Sequence, residues 1–222
     1  MNVYYFTGAP FAISNLSLRR LKVSRLSDLN DPFEMLAANL TDDQHRRNFR
    51  ELKDYLNESR GIVCFSSNWN NPLLWGHYAE KHTGAVLGFE VPNDLLVKID
   101  YSRMRVKLEV DPVTKRLVLD AAVADKLIRT KFRDWKYEDE YRLFAALDHD
   151  TKESGLHFLD FSDNLRLTQI ILGPRCELPI ERIRSIVNSF PDRVKVTKAR
   201  LAFSTFRVIE DRNPKHAAAS AA

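Results

Sequence analysis

Four short apolar runs, each bounded by glycine or proline, constrain this chain more than any other feature of it. Tyr4–Thr7 ends at Gly8 and Pro10, and Ile62–Ser66 follows Gly61. Gly84–Val91 stops at Pro92, and Leu167–Leu172 runs into Gly173-Pro174. Runs of that length bounded by turn formers predict buried strands. Further strands are expected at Leu21–Ser24, Tyr137–Leu147 and Lys195–Ile209. Helical patterning falls between them at Ala12–Arg19, Asp42–Glu58 (capped at Thr41 or Asp42), Leu73–Lys81, Ala121–Phe132 and about Pro179 to Ser189. Pro92–Lys131 carries the weakest local signal. With no internal repeat and no linker, residues 1–212 are expected to form one α+β domain of mixed or antiparallel sheets flanked by short helices. Residues 213–222, which end in alanine and serine alone, are expected to be a frayed tail or an expression remnant.

Composition narrows the class. An apolar fraction of 44% in 222 residues is enough for a real core, and 29% charged beside 10% aromatic residues argues against disorder. Runs such as Leu143–Leu147 and Ile170–Leu172 are far too short to span a bilayer. Met1–Tyr5 lacks the basic-then-apolar layout of a secretion signal, so a soluble cytoplasmic protein with no membrane partner is expected. Cys64 and Cys176 have no neighbour at metal or redox spacing and read as reduced core residues. The net charge of +4 comes with basic clusters at Arg19–Arg25, Arg46–Lys53 and Lys126–Lys136. These are either solvated faces or a surface for an anionic partner.

Two stretches can carry chemistry. The first is Ser66-Ser67-Asn68-Trp69 followed by Trp75-Gly76-His77-Tyr78-Ala79 and His82. On a helix Trp75, Tyr78, Ala79 and His82 share one face, which is either core or the wall of a pocket. The density of Ser66, His77, His82 and asparagines favours a pocket for a flat ring. His77 and His82 are five apart, on different helix faces, and no metal is expected. The second stretch is Trp135 to Phe144, where strand alternation places Glu138, Glu140 and Arg142 on one face. They form either a surface ion-pair ladder or a carboxylate pair facing a cleft, suited to positive charge developing on a sugar. Asn30-Asp31-Pro32-Phe33-Glu34 reads mainly as a capped helix start, with Asp31 as cap and Glu34 returning to it.

The motifs at Asn30–Glu34, at Trp75–Ala79 with His82 and Gly84, and at Trp135 with Glu138, Glu140 and Arg142 resemble the bacterial family DUF twenty-nine seventy-one, a domain of unknown function. The likeness runs from Tyr4 to about Gly173. The order of elements also resembles the ADP-ribosyltransferase fold. That resemblance implies NAD as co-substrate, Tyr78 stacked on nicotinamide, Glu140 as catalytic carboxylate and Glu138 orienting the acceptor. It further implies a ligand shell of Tyr5, Thr7, Ser66, Trp75, His77, His82 and Arg142. The opening strand departs from the family motif, lacking its usual histidine or arginine, so Tyr5 or Thr7 would have to serve.

The leading expectation is therefore an NAD-dependent ADP-ribosyltransferase, a toxin or defence effector modifying protein or nucleic acid, with room for a neutralising partner protein. Two alternatives stand beside it. One is a nucleic-acid-binding module using Lys126, Arg129 and Lys131 with Phe49, Phe132 and Trp135. The other is a metal-dependent nucleotide or nucleic-acid hydrolase using Glu138, Glu140 and His77.

Overall fold

In the computed structural model, which describes residues 1–33, 37, 38, 40, 42–147 and 152–213, all four punctuated runs are strands. The chain opens with β1 (Asn2–Thr7), α1 (Ala9–Leu18), β2 (Arg20–Arg25), α2 (Asp43–Ser59) and β3 (Arg60–Ser66). It continues through α3 (Pro72–Tyr78), β4 (Ala85–Glu90), β5 (Leu96–Lys98), β6 (Asp100–Ser102), α4 (Ala121–Arg129) and β7 (Thr130–Phe132). A 3-10 turn at Arg133–Glu138 leads into β8 (Glu140–Ala146), then β9 (Lys152–Glu153), β10 (Leu156–Asp160) and β11 (Arg166–Leu172). Helix α5 (Ile180–Val187) and strands β12 (Lys195–Leu201) and β13 (Val208–Glu210) complete it. The architecture is α+β in one domain. Among the described residues no helix is long and apolar enough to cross a membrane.

Among the described residues eleven strands form one mixed sheet whose main path is β13-β12-β11-β4-β1-β3-β2-β10-β9, with β8 on β3 and β5 on β8. Every pairing in it is antiparallel except β11 with β12, where α5 supplies the crossover that a parallel pair requires. β6 and β7 form a separate parallel ribbon, bridged by the segment that contains α4. β4 reads as a continuous apolar run because both of its faces are covered. Leu87 and Phe89 pack with Leu16 of α1 and Ile183 of α5, while Val86 packs with Trp75 of α3. A further cluster joins Phe49 and Leu56 of α2 to Ile62 and to Leu127 of α4.

Local chemistry sets the boundaries, and several differ from the expectation. Asp42 caps α2, accepting from the Gln44 and His45 amides at 2.7 and 3.1 Å. Helix α3 ends at Tyr78 rather than Lys81, because Glu80, Lys81 and His82 all take positive φ. The helix expected over Ala121–Phe132 stops at Arg129 and gives way to β7. β8 begins at Glu140 rather than Tyr137, since Asp139 adopts φ 44 and breaks the extended run. The strand expected over Lys195–Ile209 is a hairpin of two strands. Asp31 closes a local turn, its carboxylate accepting from the Phe33 amide at 2.9 Å. The partner assigned to it, Glu34, the alternative cap Thr41 and the tail from residue 214 lie outside the described residues.

Candidate functional site

β3 is paired with β8 along its whole length, from Arg60 opposite Ala146 to Ser66 opposite Glu140. Its other edge is divided. β2 holds it at Gly61 and Ile62, and β1 holds it at Ser66, which faces Tyr4. Between these anchor points β1 and β2 diverge, and a cleft of about 310 Å³ opens over Val63, Cys64 and Phe65. Tyr4, Tyr5 and Phe6 contribute to one wall, Lys22 and Ser24 to another, and Asn30, Tyr78, Lys131, Glu138 and Glu140 to the end. Its volume is at the small end of the range for ligand sites.

The end of the cleft is a buried ionic cluster drawn from separate elements. Lys131 of β7 places Nζ 2.5 Å from Glu138 Oε2 and 3.0 Å from Glu140 Oε2. Arg142 of β8 donates to Glu140 through Nε at 2.7 Å and Nη2 at 3.3 Å, and through Nη1 to the Ile128 carbonyl at 3.0 Å. The Tyr78 hydroxyl donates to Glu138 Oε1 and accepts from Asn30 Nδ2 at 2.6 Å. Tyr101 of β6 accepts from the Glu140 amide at 2.9 Å. The Lys131 ammonium also lies 5.2 Å from the centre of the Trp135 ring, under the 3-10 turn. All four charged members are buried, with no more than 6% of any residue exposed.

This burial pushes the two carboxyls apart. Desolvation would raise Glu140, but Arg142 and then Lys131 overcome it and hold the group at about 2. For Glu138 desolvation prevails over Lys131 and raises its affinity for a proton. Burial and the adjacent Glu138 keep Tyr78 above the ordinary tyrosine range, so its hydroxyl remains a donor. Burial raises the Cys64 thiol, and the Glu140 charge adds to that effect. The arrangement therefore provides a fixed anion at Glu140 and, two residues away, a carboxyl at Glu138 whose proton affinity is raised. Carboxyls separated in this way are the pattern of acid–base sites.

Family models, curated proteins and solved structures gave no match to this chain.

The structure brings Glu138, Glu140 and Tyr78 together, with Tyr5 and Ser66 in the cleft wall. Tyr5 packs edge-on against Phe65, and burial raises its hydroxyl to about 12. The Ser66 hydroxyl is engaged with its own loop, donating to the Asn68 carbonyl at 3.0 Å and accepting from the Asn68 amide at 3.2 Å. The other expected ligand residues lie elsewhere. Trp75 is fully buried in the core beside Val86 and Ile171, its indole donating to the Trp69 carbonyl at 2.6 Å. The positive-φ turn after α3 carries His82 back over that indole, where the rings stack 6.5 Å apart, away from the cleft. His77 is exposed, 6.0 Å from the Tyr137 ring. Thr7 is buried at the far end of β1, opposite Ala85. Arg142 is not part of the cleft lining and instead clamps Glu140.

Within the basic clusters the ion pairs at the surface fit solvated faces, and Lys131 departs from them. Arg20 pairs with Glu153 and Arg129 with Asp125, Phe49 is core, and Lys131 is the buried centre of the ionic cluster. Lys131, expected among the surface cations of the nucleic-acid reading, is buried, and Asn30, in the motif whose cap is assigned to Asp31, reaches the Tyr78 hydroxyl. The available signal at Asn30 was a polar side chain that the cap itself did not require. Tyr101 had no such signal, because it arrives through a ribbon within the least readable stretch.

Proposed function

We propose that this chain is an NAD-dependent enzyme of the ADP-ribosyltransferase type, cleaving the bond between nicotinamide and ribose and passing the sugar to an acceptor. The observation that carries the reading is the carboxyl pair with opposed proton affinities at the end of a cleft where the sheet divides. In this mechanism the glycosidic C–N bond breaks with its electron pair leaving on nicotinamide, and positive charge spreads over the ribose. Glu140, locked as an anion, stabilises that charge electrostatically. Glu138 takes the proton from the attacking acceptor as the new bond forms. A carboxyl with raised proton affinity is a better base near neutrality than an ordinary one, and general base catalysis contributes about 10² to 10⁴ in rate. Tyr78 and Asn30 hold Glu138 in place, and the Tyr4, Tyr5 and Phe6 side of the cleft offers aromatic surface for the nicotinamide ring.

The decisive substitution is Glu138→Gln rather than Glu140→Gln. Glu138→Gln leaves Glu140 in contact with both Lys131 and Arg142, whereas removing Glu140 takes from Arg142 the carboxylate it holds at 2.7 Å, and breaking such a buried pair costs about 3–5 kcal/mol. Wild type and Glu138→Gln are both expected to bind NAD saturably by calorimetry, with nicotinamide release falling by about 10² or more in the variant. Release that persists in chelator separates this chemistry from metal-dependent nucleotide hydrolysis. Absence of binding at millimolar NAD would falsify the proposal.

A further inference from the structure

Away from the cleft, the turn 202–207 between β12 and β13 presents two phenylalanines almost wholly to water. Phe203 is 96% exposed and Phe206 98%. Backbone hydrogen bonds close the turn, from the Ala202 amide to the Arg207 carbonyl at 3.0 Å and from the Arg207 amide to the Thr205 carbonyl at 2.9 Å. Its shape therefore does not depend on the rings. Between residues 195 and 209 the sequence carries Lys195, Lys198, Arg200 and Arg207 and no acidic residue. Lys195 is paired with Glu210, and Lys198 donates to the Cys176 carbonyl. Arg200 and Arg207 flank the tip itself, with the Arg200 guanidinium 4.6 Å from the centre of the Phe203 ring. The rings, with His82 and Pro72, border a cavity of about 520 Å³.

We propose that this hairpin is a docking surface for single-stranded nucleic acid. Unpaired bases present flat faces that stack on phenyl rings, and the phosphates between them complement the two flanking guanidiniums. A lipid surface is a poorer complement, because sinking Phe203 into hydrocarbon would bring the Arg200 charge with it. The intervening residues Ser204 and Thr205 are polar, so the tip lacks the broad apolar core of a stable protein interface. The hairpin is also tied to the neighbourhood of the cleft. Asn70 donates to the Val208 carbonyl at 2.7 Å, and the Val208 amide donates back to the Asn70 carbonyl at 2.8 Å. Asn70 lies in the loop between Ser66 in the cleft wall and the helix that carries Tyr78. The proposal concerns binding and holds whether or not NAD is the substrate.

The test is fluorescence anisotropy of labelled single-stranded RNA and DNA oligonucleotides with the full chain across a salt series. Binding is expected to weaken steeply with salt, and Phe203→Ala and Phe206→Ala are each expected to weaken it about tenfold. Arg207→Gln is expected to reduce the slope of log affinity against log salt by about 0.7. Circular dichroism should be unaltered in these variants, and nicotinamide release by the phenylalanine double variant should match wild type. Failure to bind at low salt, or binding indifferent to both phenylalanines, would overturn the proposal. So would tighter binding to phosphatidylserine vesicles than to oligonucleotides, or a ring-dependent dimer in sedimentation.

Discussion

Glu138 and Glu140 are two residues apart and electrostatically opposite, and the difference is set by who faces them. Glu140 meets two cations, Arg142 and Lys131, whereas Glu138 shares Lys131 and otherwise meets a tyrosine hydroxyl. The pH dependence of stability follows from this contrast. Glu140 has a folded value of about 2 against an ordinary 4.5, so its contribution is complete above pH 4.5 and disappears as pH falls towards 2. At about 1.4 kcal/mol per unit, that contribution is on the order of 3 kcal/mol. Glu138 works in the other direction. Its raised folded value contributes stability below 4.5 that is lost as pH rises through the folded value. Urea unfolding from pH 3 to pH 8 is therefore expected to show the Glu138→Gln variant gaining stability relative to wild type as pH rises above 4.5. A pH-independent difference would contradict the assignment.

At the scale of elements, the site depends on where α3 stops. Gly84 immediately precedes β4, where an added Cβ would lie 3.0 Å from the Ala79 carbonyl oxygen and closer still to that of Thr7. Both obstacles are backbone, so no rotamer change can relieve them. Gly84→Ala is expected to destabilise the fold by about 1–3 kcal/mol and to shift the end of α3, reducing nicotinamide release by displacing Tyr78. Denaturant titration and the release assay check both effects. The same helix shows how far the sequence could be read. Its aromatic positions were visible as a stripe, but the stripe is divided, with Trp75 entering the core and Tyr78 reaching Glu138. Three successive left-handed residues after it have no pattern in hydrophobicity alone. The closeness of the two carboxyls was legible from their spacing, but not its cause: alternation places only Glu140 and Arg142 on one strand face, while Glu138 ends the 3-10 turn and is brought beside them through the left-handed Asp139. Lys131 was not legible, because its place depends on β6 and β7 meeting in parallel across about thirty residues, with Tyr101 opposite Lys131.

At the scale of the whole molecule, the sheet holds its cleft by register. Tyr4 opposite Ser66 and Ser24 opposite Ile62 are the points from which β1 and β2 part. Neither strand has a local partner that would set this angle, since β1 also pairs with β4 and β2 with β10. Nicotinamide release and far-ultraviolet circular dichroism are therefore expected to be lost at one urea concentration. A clear loss of release before structure would show that the cleft opens independently. The ionic cluster has a related consequence for how the chain comes into being. Lys131, Glu138, Glu140 and Arg142 share one short segment, but Asn30, Tyr78 and Tyr101 come from distant parts of the sequence and reach it only when the sheet has closed. A growing chain shorter than Arg142 lacks one of the two cations that balance the carboxyls, so the cluster is completed only once β8 has been made and paired.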